Sequence, residues 1–444
     1  MHWIPDSNRR QRILTIALPI IGGMVSQNVL NLVDTAMVGS LGDVALAAAG
    51  LGSFTNYLAM AFILGLSSAV QAMAARRIGE GRGSEAAVPL DGGLLLALVL
   101  GVSASLVFIG WSGDMLAFLT DDPAVISQGT PYLQWRLGAI AGVGMNFAFR
   151  GYWSATEQTR IYLNTLLIMH SLNIFLNWVL IFGHLGAPTM GVAGAGLATT
   201  LAIYAGTLIY FFLALAKARH AGFLRRIPSR QTLATMLRIG LPASTQQFFF
   251  AAGMVTMFWI IGRIGTPELA AANVLMNLVL AGLLPAMGFG LAAASLVGQA
   301  LGRKQADDAS FWGWQVSVLA AALGAALGVP AAIFHSSILG IFIHETHTLQ
   351  LAAWPMMIAG LLMAVDAVGT VLLNAHLGAG DSRRVMLFSV TLQWLMFLPA
   401  AFIVGPTLGY GLLGVWLAWT VYRLLQTGIM MLYWQRGKWA EVQL

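Results

Sequence analysis

Twelve long apolar stretches, separated by short polar gaps, run the length of this 444-residue chain. They fall near residues 12–38, 46–75, 90–112, 127–152, 161–183, 192–216, 235–262, 269–300, 312–334, 349–374, 385–404 and 412–434. A hydrocarbon core about 30 Å thick takes roughly 20 apolar residues per helical crossing. Each stretch is therefore long enough to span a bilayer, and what remains is loop. Only 9% of the residues are charged, against roughly 25% in a soluble domain. Such a chain cannot coat a water-facing surface, but it can face lipid. The pattern predicts an all-α integral membrane protein of twelve transmembrane helices, with no large soluble domain.

Basic residues set the orientation. All but Arg136, Arg263 and Arg423 of the 23 Lys and Arg lie in alternate connections, such as Arg9, Arg10 and Arg12, or Arg76, Arg77 and Arg82. The longest basic connection runs from Lys217 to Arg238. The positive-inside rule then predicts both termini in the cytoplasm. This agrees with an even number of spans. The same scatter in short clusters argues against a nucleic-acid partner, despite the net charge of +6. The basic start MHWIPDSNRRQR superficially resembles a signal peptide. The stretch after it contains Pro19, Gln27, Asn31 and Asp34 and no small-residue cleavage site, so it reads as a retained first helix. Cysteine is absent, which excludes disulfides and thiol chemistry.

The chain also repeats. At an offset of 223, Leu18 and Pro19 align with Leu241 and Pro242, and Gly39 and Gly42 with Gly262 and Gly265. Leu46-Ala47-Ala48-Ala49 then meets Leu269-Ala270-Ala271-Ala272, Gly65 meets Gly288, and Gly79 meets Gly302. Six spans precede the basic connection and six follow, which makes the repeat parallel. The expected organisation is an amino lobe 1–216, a connecting segment 217–234 and a carboxyl lobe 235–444. Internal repeats with a site at their interface characterise secondary transporters.

Polar residues inside spans are costly, and each is a functional candidate. In the first span Gln27, Asn31 and Asp34 share one helical stripe above Pro19, which removes a backbone hydrogen bond and can bend the helix. In the fifth, Asn173 and Asn177 lie one turn apart, with His170 a turn earlier; the sixth carries Thr199 and Thr200. One carboxylate with amide and hydroxyl oxygens suits a small hard cation such as Na⁺. The same set can equally tune a proton-carrying Asp34, or simply join helices by hydrogen bonds worth roughly 0.6–2 kcal/mol each. In the tenth span Asp366, Thr370 and Asn374 form a second stripe. Asp366 could attract a cationic substrate or carry a second proton. Arg423 in the last span reads as an arginine paired across helices or snorkelling.

Other motifs fail. His344-Glu345-Thr346-His347 is one residue short of the zinc-protease spacing and reads as a polar loop. The glycines of GVAGAG (191–196) follow no strand and suit close helix packing. No phosphate-binding GxxxxGK[ST] is present, so the chain encodes no ATPase motor, and no nucleophile or acid–base pair points to an enzyme.

These segments together resemble the multidrug and toxic compound extrusion (MATE) family. ALPIIGGMVSQNVLNLVDTAMVGSLG is similar to that family's bent first helix. SLNIFLNWVLIFG with MGVAGAGLATTLA is similar to its fifth and sixth helices, FGLAAASLVGQALGRK to its eighth, and MAVDAVGTVLLNAHLGAGDSRR to its tenth. The resemblance covers essentially the whole chain. It implies two pseudo-symmetric six-helix lobes in a V, and export of amphipathic, often cationic compounds against inward H⁺ or Na⁺ by alternating access, without a cofactor. It maps the amino-lobe cation site, for H⁺ or Na⁺, onto Asp34, Asn173, Asn177 and Thr199. Gln27, Asn31, Asp366, Thr370 and Asn374 then fall to the substrate cavity and Pro19 to the helix bend. Some members carry a second Asp where this chain has Asn177; its absence resembles the NorM-like pattern. NorM-like members also carry a Glu in the seventh helix, which falls near Phe250 here, behind Gln246 and Gln247. That departure favours coupling through Asp34. The expected partners are small amphipathic cations and membrane lipids, with the chain working as a monomer. The alternative within the wider superfamily is a flippase for a lipid-linked oligosaccharide or other lipid. An anionic lipid diphosphate calls for cavity arginines, whereas the polar faces carry Asp34 and Asp366.

Overall fold

Every apolar stretch folds as helix in the computed structural model, which describes residues 3–444. Among the described residues there is no strand. The amino half comprises α1 (Ser7–Gly39), α2 (Asp43–Met60), α3 (Leu66–Gly79), α4 (Val88–Ala117), α5 (Pro123–Gly138), α6 (Ile140–Ala155), α7 (Thr159–Phe182) and α8 (Gly191–Lys217). The carboxyl half comprises α9 (Arg230–Gly262), α10 (Thr266–Gly302), α11 (Ala306–Ile333), α12 (His335–Phe342), α13 (Thr346–Gly378), α14 (Ser382–Thr391), α15 (Leu398–Phe402) and α16 (Gly411–Gln435).

Ten of the resulting segments are long and apolar enough to cross a membrane: α1, α2 with α3, α4, α7, α8, α9, α10, α11, α13 and α14 with α15. The other two expected spans are helical as well. One is divided at Ala139 into α5 and α6, each of 16 residues. The other, α16, carries Arg423 and Gln426 within its run.

Local chemistry explains where these helices start and break. The Asp6 carboxylate accepts from the Arg9 N–H (2.8 Å) and opens α1; Asp122 does the same for α5 through Ala124 N–H (2.9 Å). Such caps satisfy amides that the first turn leaves without partners. The break between α2 and α3 is held by Ser244, whose hydroxyl donates to Phe62 O (2.6 Å) and accepts from Gly65 N–H (2.9 Å). A Cβ on Gly65 would lie 2.1 Å from the Gly240 carbonyl, so only glycine fits. The eleventh span widens into π-helix at Leu392–Phe397 and Ile403–Thr407. Pro399 and Pro406 each lack the N–H that a regular turn requires, and the Thr407 hydroxyl donates to the freed Phe402 carbonyl (3.1 Å).

Contacts sort the chain into two compact units. One is Gly22–Ser244; the other joins the residues up to Ile21 with Thr245–Leu444. These units do not follow the lobes expected at 1–216 and 235–444, because each boundary falls inside a helix. Ile21/Gly22 lies in α1 and Ser244/Thr245 in α9, at the same offset of 223 that relates Pro19 to Pro242.

The packing supplies the reason. Within the larger-numbered unit, Ile13, Ile16, Ala17 and Ile20 of α1 are fully buried. Arg9 pairs with Asp308, donates to Gln315 (2.8 Å) and lies 4.2 Å over the Trp312 ring, while Arg12 donates to Gln299 (2.7 Å). Within Gly22–Ser244, Met236 of α9 is fully buried against the glycine pair Gly92-Gly93. Both α1 and α9 run on as helix through their prolines.

Candidate cation site

The site lies within Gly22–Ser244 and is built by three helices. Asp34 comes from α1, Asn173 and Asn177 from α7, and Thr199 from α8. The hairpin of α7 and α8 sets the register between the last two. Gly183 ends α7 in the left-handed region (φ 75°), and Met190 N–H donates back to Leu180 O (2.9 Å). A Cβ on Gly194 would sit 2.6 Å from the Leu180 carbonyl, and one on Gly196 2.7 Å from that of Tyr132. The glycine run at 191–196 is thus a close-packing surface that lets α8 press against α7 and α5.

All four residues expected to hold a cation meet. Asn177 Nδ2 donates to Asp34 Oδ1 (2.6 Å) and lies 3.0 Å from Asn173 Oδ1. Asn173 reaches Thr199 Oγ1 at 3.0 Å. Turning the Asn173 amide over brings its nitrogen to Asp34 Oδ1 (3.0 Å), and its oxygen then accepts from the Thr199 hydroxyl (3.0 Å) and amide (3.3 Å). Amide orientation is set by the surrounding network. The turned form gives the carboxylate two N–H donors, which suits an ionised Asp34, and gives up the Asn177 bond to Asn173 Oδ1.

Two features mark the cluster as more than helix packing. Asn177 is fully buried, yet its Oδ1 has no hydrogen-bond partner. A buried acceptor left unmade costs roughly 1–3 kcal/mol. Among the described residues, moreover, no Lys or Arg forms an ion pair with Asp34. An occupant that brings positive charge or a proton answers both deficits. Oxygens of Asp34, Asn173, Asn177 and Thr199 make a donor set suited to a small hard cation. No group of three or more His, Cys, Asp or Glu suited to a transition metal occurs among the described residues.

The polar stripe extends along α1. His170 of α7 lies 2.7 Å from Ser26 Oγ through Nδ1 and 3.1 Å from Gln27 Oε1 through Nε2. Gln27 Nε2 donates to Asn31 Oδ1 (3.1 Å). With the Gln27 oxygen as acceptor, His170 Nε2 carries the proton and Nδ1 accepts from Ser26. This histidine therefore bridges two helices by side-chain bonds. Arg136 of α5 is the group that sequence reasoning passed over. It donates to Tyr132 OH (3.0 Å) and lies within electrostatic reach of Asp34. Its signal was visible as a basic residue outside the alternating pattern.

The second predicted stripe does not hold together. Asp366 is 3% exposed and receives Arg423 Nε at 2.8 Å across α13 and α16. Arg423 Nη1 donates to Gln426 (2.8 Å), and Gln426 Nε2 to Ser389 (3.3 Å). Asn374 instead faces α10, where a Cβ on Gly290 would lie 2.7 Å from its Nδ2, and that Nδ2 donates to Thr370 O (2.9 Å). The three residues share spacing but not surroundings. Asp366 is not the open carboxylate that the stripe suggested, because a charge buried this deeply is stable only when paired.

Comparison with known proteins agrees with this architecture. The sequence matches the MatE family over residues 19–179 and 242–405, so the match recurs in each half. A probable multidrug resistance protein NorM of Brucella suis is 27% identical over 451 residues, covering 98% of this chain and 95% of that protein. Another of Synechococcus is 29% identical, covering 95% and 92%. Among solved structures, the outward-facing conformation of a multidrug resistance MATE family transporter of the MOP superfamily superposes with TM-score 0.88 at 21% identity, covering 96% and 95%.

Proposed function

Because the chain belongs to the MatE family of membrane transporters, we propose that it is a secondary active multidrug efflux antiporter that exports amphipathic, cationic compounds in exchange for H⁺ or Na⁺. The observation that carries this reading is the cluster of Asp34 with Asn173, Asn177 and Thr199, which joins an unpaired carboxylate to an unpartnered buried amide oxygen. The names of relatives similar over nearly the whole chain support the multidrug part.

In the proposed cycle, ionised Asp34 presents a negative charge with no cation bonded to it, which favours a cationic drug. Arrival of H⁺ or Na⁺ neutralises Asp34. A proton changes the carboxylate from acceptor to donor, and Na⁺ draws the oxygens of Asn173, Asn177 and Thr199 inward. Either event alters what α1 bonds to on α7. Pro19 and the pair Gly22-Gly23 lie where α1 passes from one compact unit to the other, so the helix can change shape there. Exchange requires that ion and drug prefer different conformations, since a ligand shifts an equilibrium only by its difference in affinity. A tenfold preference corresponds to about 1.4 kcal/mol. Gln27 and Asn31 continue the polar face of α1 towards the substrate path. The chain is proposed to work as a monomer. Alternating basic connections favour both termini in the cytoplasm, in a bacterial inner membrane.

The test is ethidium efflux from proteoliposomes under an imposed pH or Na⁺ gradient. The wild type is expected to respond to one gradient and Asp34→Asn to neither. Undiminished gradient-driven efflux by the variant would sink the mechanism.

A further inference from the structure

We propose that Arg423 is a tethered, permanent counter-ion for Asp366, so that the carboxyl half loads no ion and a single exchangeable ion is carried per cycle, at Asp34. This rests on the antiport reading above and specifies its stoichiometry.

The geometry begins with the pair itself. Arg423 is 8% exposed and Asp366 3%, with Nε at 2.8 Å from Oδ1. The guanidinium is held from its other sides too: Gln426 accepts from Nη1 (2.8 Å), and the Trp419 ring lies 5.9 Å away. Ser389 accepts from Gln426 behind it (3.3 Å). This cage leaves Arg423 no slack with which to exchange. Of the helices packed against α13, α12 carries one ionisable residue, His335, at its first position, and α14 carries Arg383 and Arg384 in its first turn, where Arg384 pairs with Asp381. From α16 the facing groups are Arg423 and Tyr422, and from α14 the neutral Ser389. The only ionisable residues in α10 and α11 are Glu268, Asp307 and Asp308, which lie in the first turns of those helices. Among the described residues, Asp366, deep inside α13, therefore has one charged partner, an arginine that does not lose its proton in proteins.

The repeat adds an independent observation. At the offset of 223, Asp34 corresponds to Met257, which is fully buried in the apolar core of its unit. The glycine-rich starts of α8 and α16, GVAGAGLATT and GLLGVWLAWT, align at an offset of 220 and place Trp419 where Thr199 stands. The carboxyl half thus lacks both the carboxylate and the hydroxyl of the cation site at the repeat-related positions. Asp366, the carboxylate buried within a span of this half, stands elsewhere and is already paired with Arg423. Exchanging an external ion at Asp366 would require stripping away a bidentate-capable guanidinium and leaving it buried without a partner, which is strongly unfavourable.

Ion-induced difference infrared spectroscopy on the purified full chain tests this. Spectra are taken acid-minus-alkaline and with-minus-without Na⁺, for wild type, Asp34→Asn, Arg423→Gln and the neutral double variant Asp366→Asn/Arg423→Gln. Beyond the bands of exposed acids common to every variant, one ion-sensitive carboxyl band is expected in the wild type. It should vanish in Asp34→Asn and persist at full amplitude in the double variant. Arg423→Gln, by exposing Asp366, should gain a second band. The double variant keeps the test valid where Arg423→Gln does not fold. Loss of an ion-sensitive band in the folded double variant overturns the proposal, as does a folded Arg423→Gln with no second band. A wild type with no ion-sensitive carboxyl band removes the antiport reading and this proposal with it, and that outcome is distinct from the other two.

Discussion

Two carboxylates placed within membrane-spanning helices, the half-buried Asp34 and the buried Asp366, set the halves of the molecule in contrast. Asp34 is hydrogen-bonded by neutral groups: Asn177 donates at 2.6 Å, Asn173 and Thr199 close the cluster, and Arg136 acts on it only through space. Asp366 meets a charge: Arg423 at 2.8 Å, itself fixed by Gln426. The scaffold around both is duplicated, down to the prolines at 19 and 242 and the helix-internal boundaries at 21/22 and 244/245. The chemistry is not duplicated. An acid surrounded by dipoles can gain and lose a cation, whereas an acid bonded to arginine has its cation built in. Duplicating a fold therefore multiplies packing positions, while the identity of a few side chains decides which copy does chemistry.

The largest effect expected from breaking this contrast is on Asp34. Asp34→Asn should bring gradient-driven ethidium efflux to background with membrane insertion intact, read in proteoliposomes beside the wild type. Next is Asp366→Asn alone, which leaves Arg423 buried without its partner. A loss of about 3–5 kcal/mol is expected, seen as a fall in thermal unfolding temperature. The double variant Asp366→Asn/Arg423→Gln should recover most of it, since a buried pair replaced on both sides is often close to neutral.

A smaller effect sharpens the amino side. Asn177→Ala removes a donor to Asp34 and a candidate ligand oxygen. It should raise the half-saturating ion concentration about tenfold, equivalent to about 1.4 kcal/mol, while leaving maximal efflux largely intact. The smallest concerns the bridge above Pro19. His170→Phe deletes the links to Ser26 and Gln27. It should cost about 1–2 kcal/mol of stability, measured by thermal unfolding, with the coupling ion unchanged.

Much of this was legible before any coordinates. Apolar runs of bilayer length gave the spans, and matched Pro and Gly positions gave the repeat. The candidate site was readable because Asn173 and Asn177 lie one turn apart and Asp34 falls on the polar face of α1. Helical spacing reports which residues share a face, and here the faces of α1, α7 and α8 do meet. The same logic failed for Asp366, Thr370 and Asn374. Their spacing is as regular, but Asp366 turns to α16 while Asn374 packs at Gly290 of α10. A pairing between α13 and α16, 57 residues apart in sequence, leaves no periodic trace. Arg423 was identified as an arginine paired across helices or snorkelling, without its partner. The unit boundaries were hidden for a similar reason. Composition changes at connections, whereas residues 7–21 change neighbours within one continuous helix through Arg9, Arg12 and a row of isoleucines.

The most direct measurement is the number of coupling ions exchanged per ethidium, from flux ratios in proteoliposomes, for the wild type and for Asp366→Asn/Arg423→Gln. One ion in both is the predicted result, with the exchangeable charge at Asp34 alone. Two ions in the wild type falling to one in the double variant would contradict it, by showing that Asp366 also carries an ion.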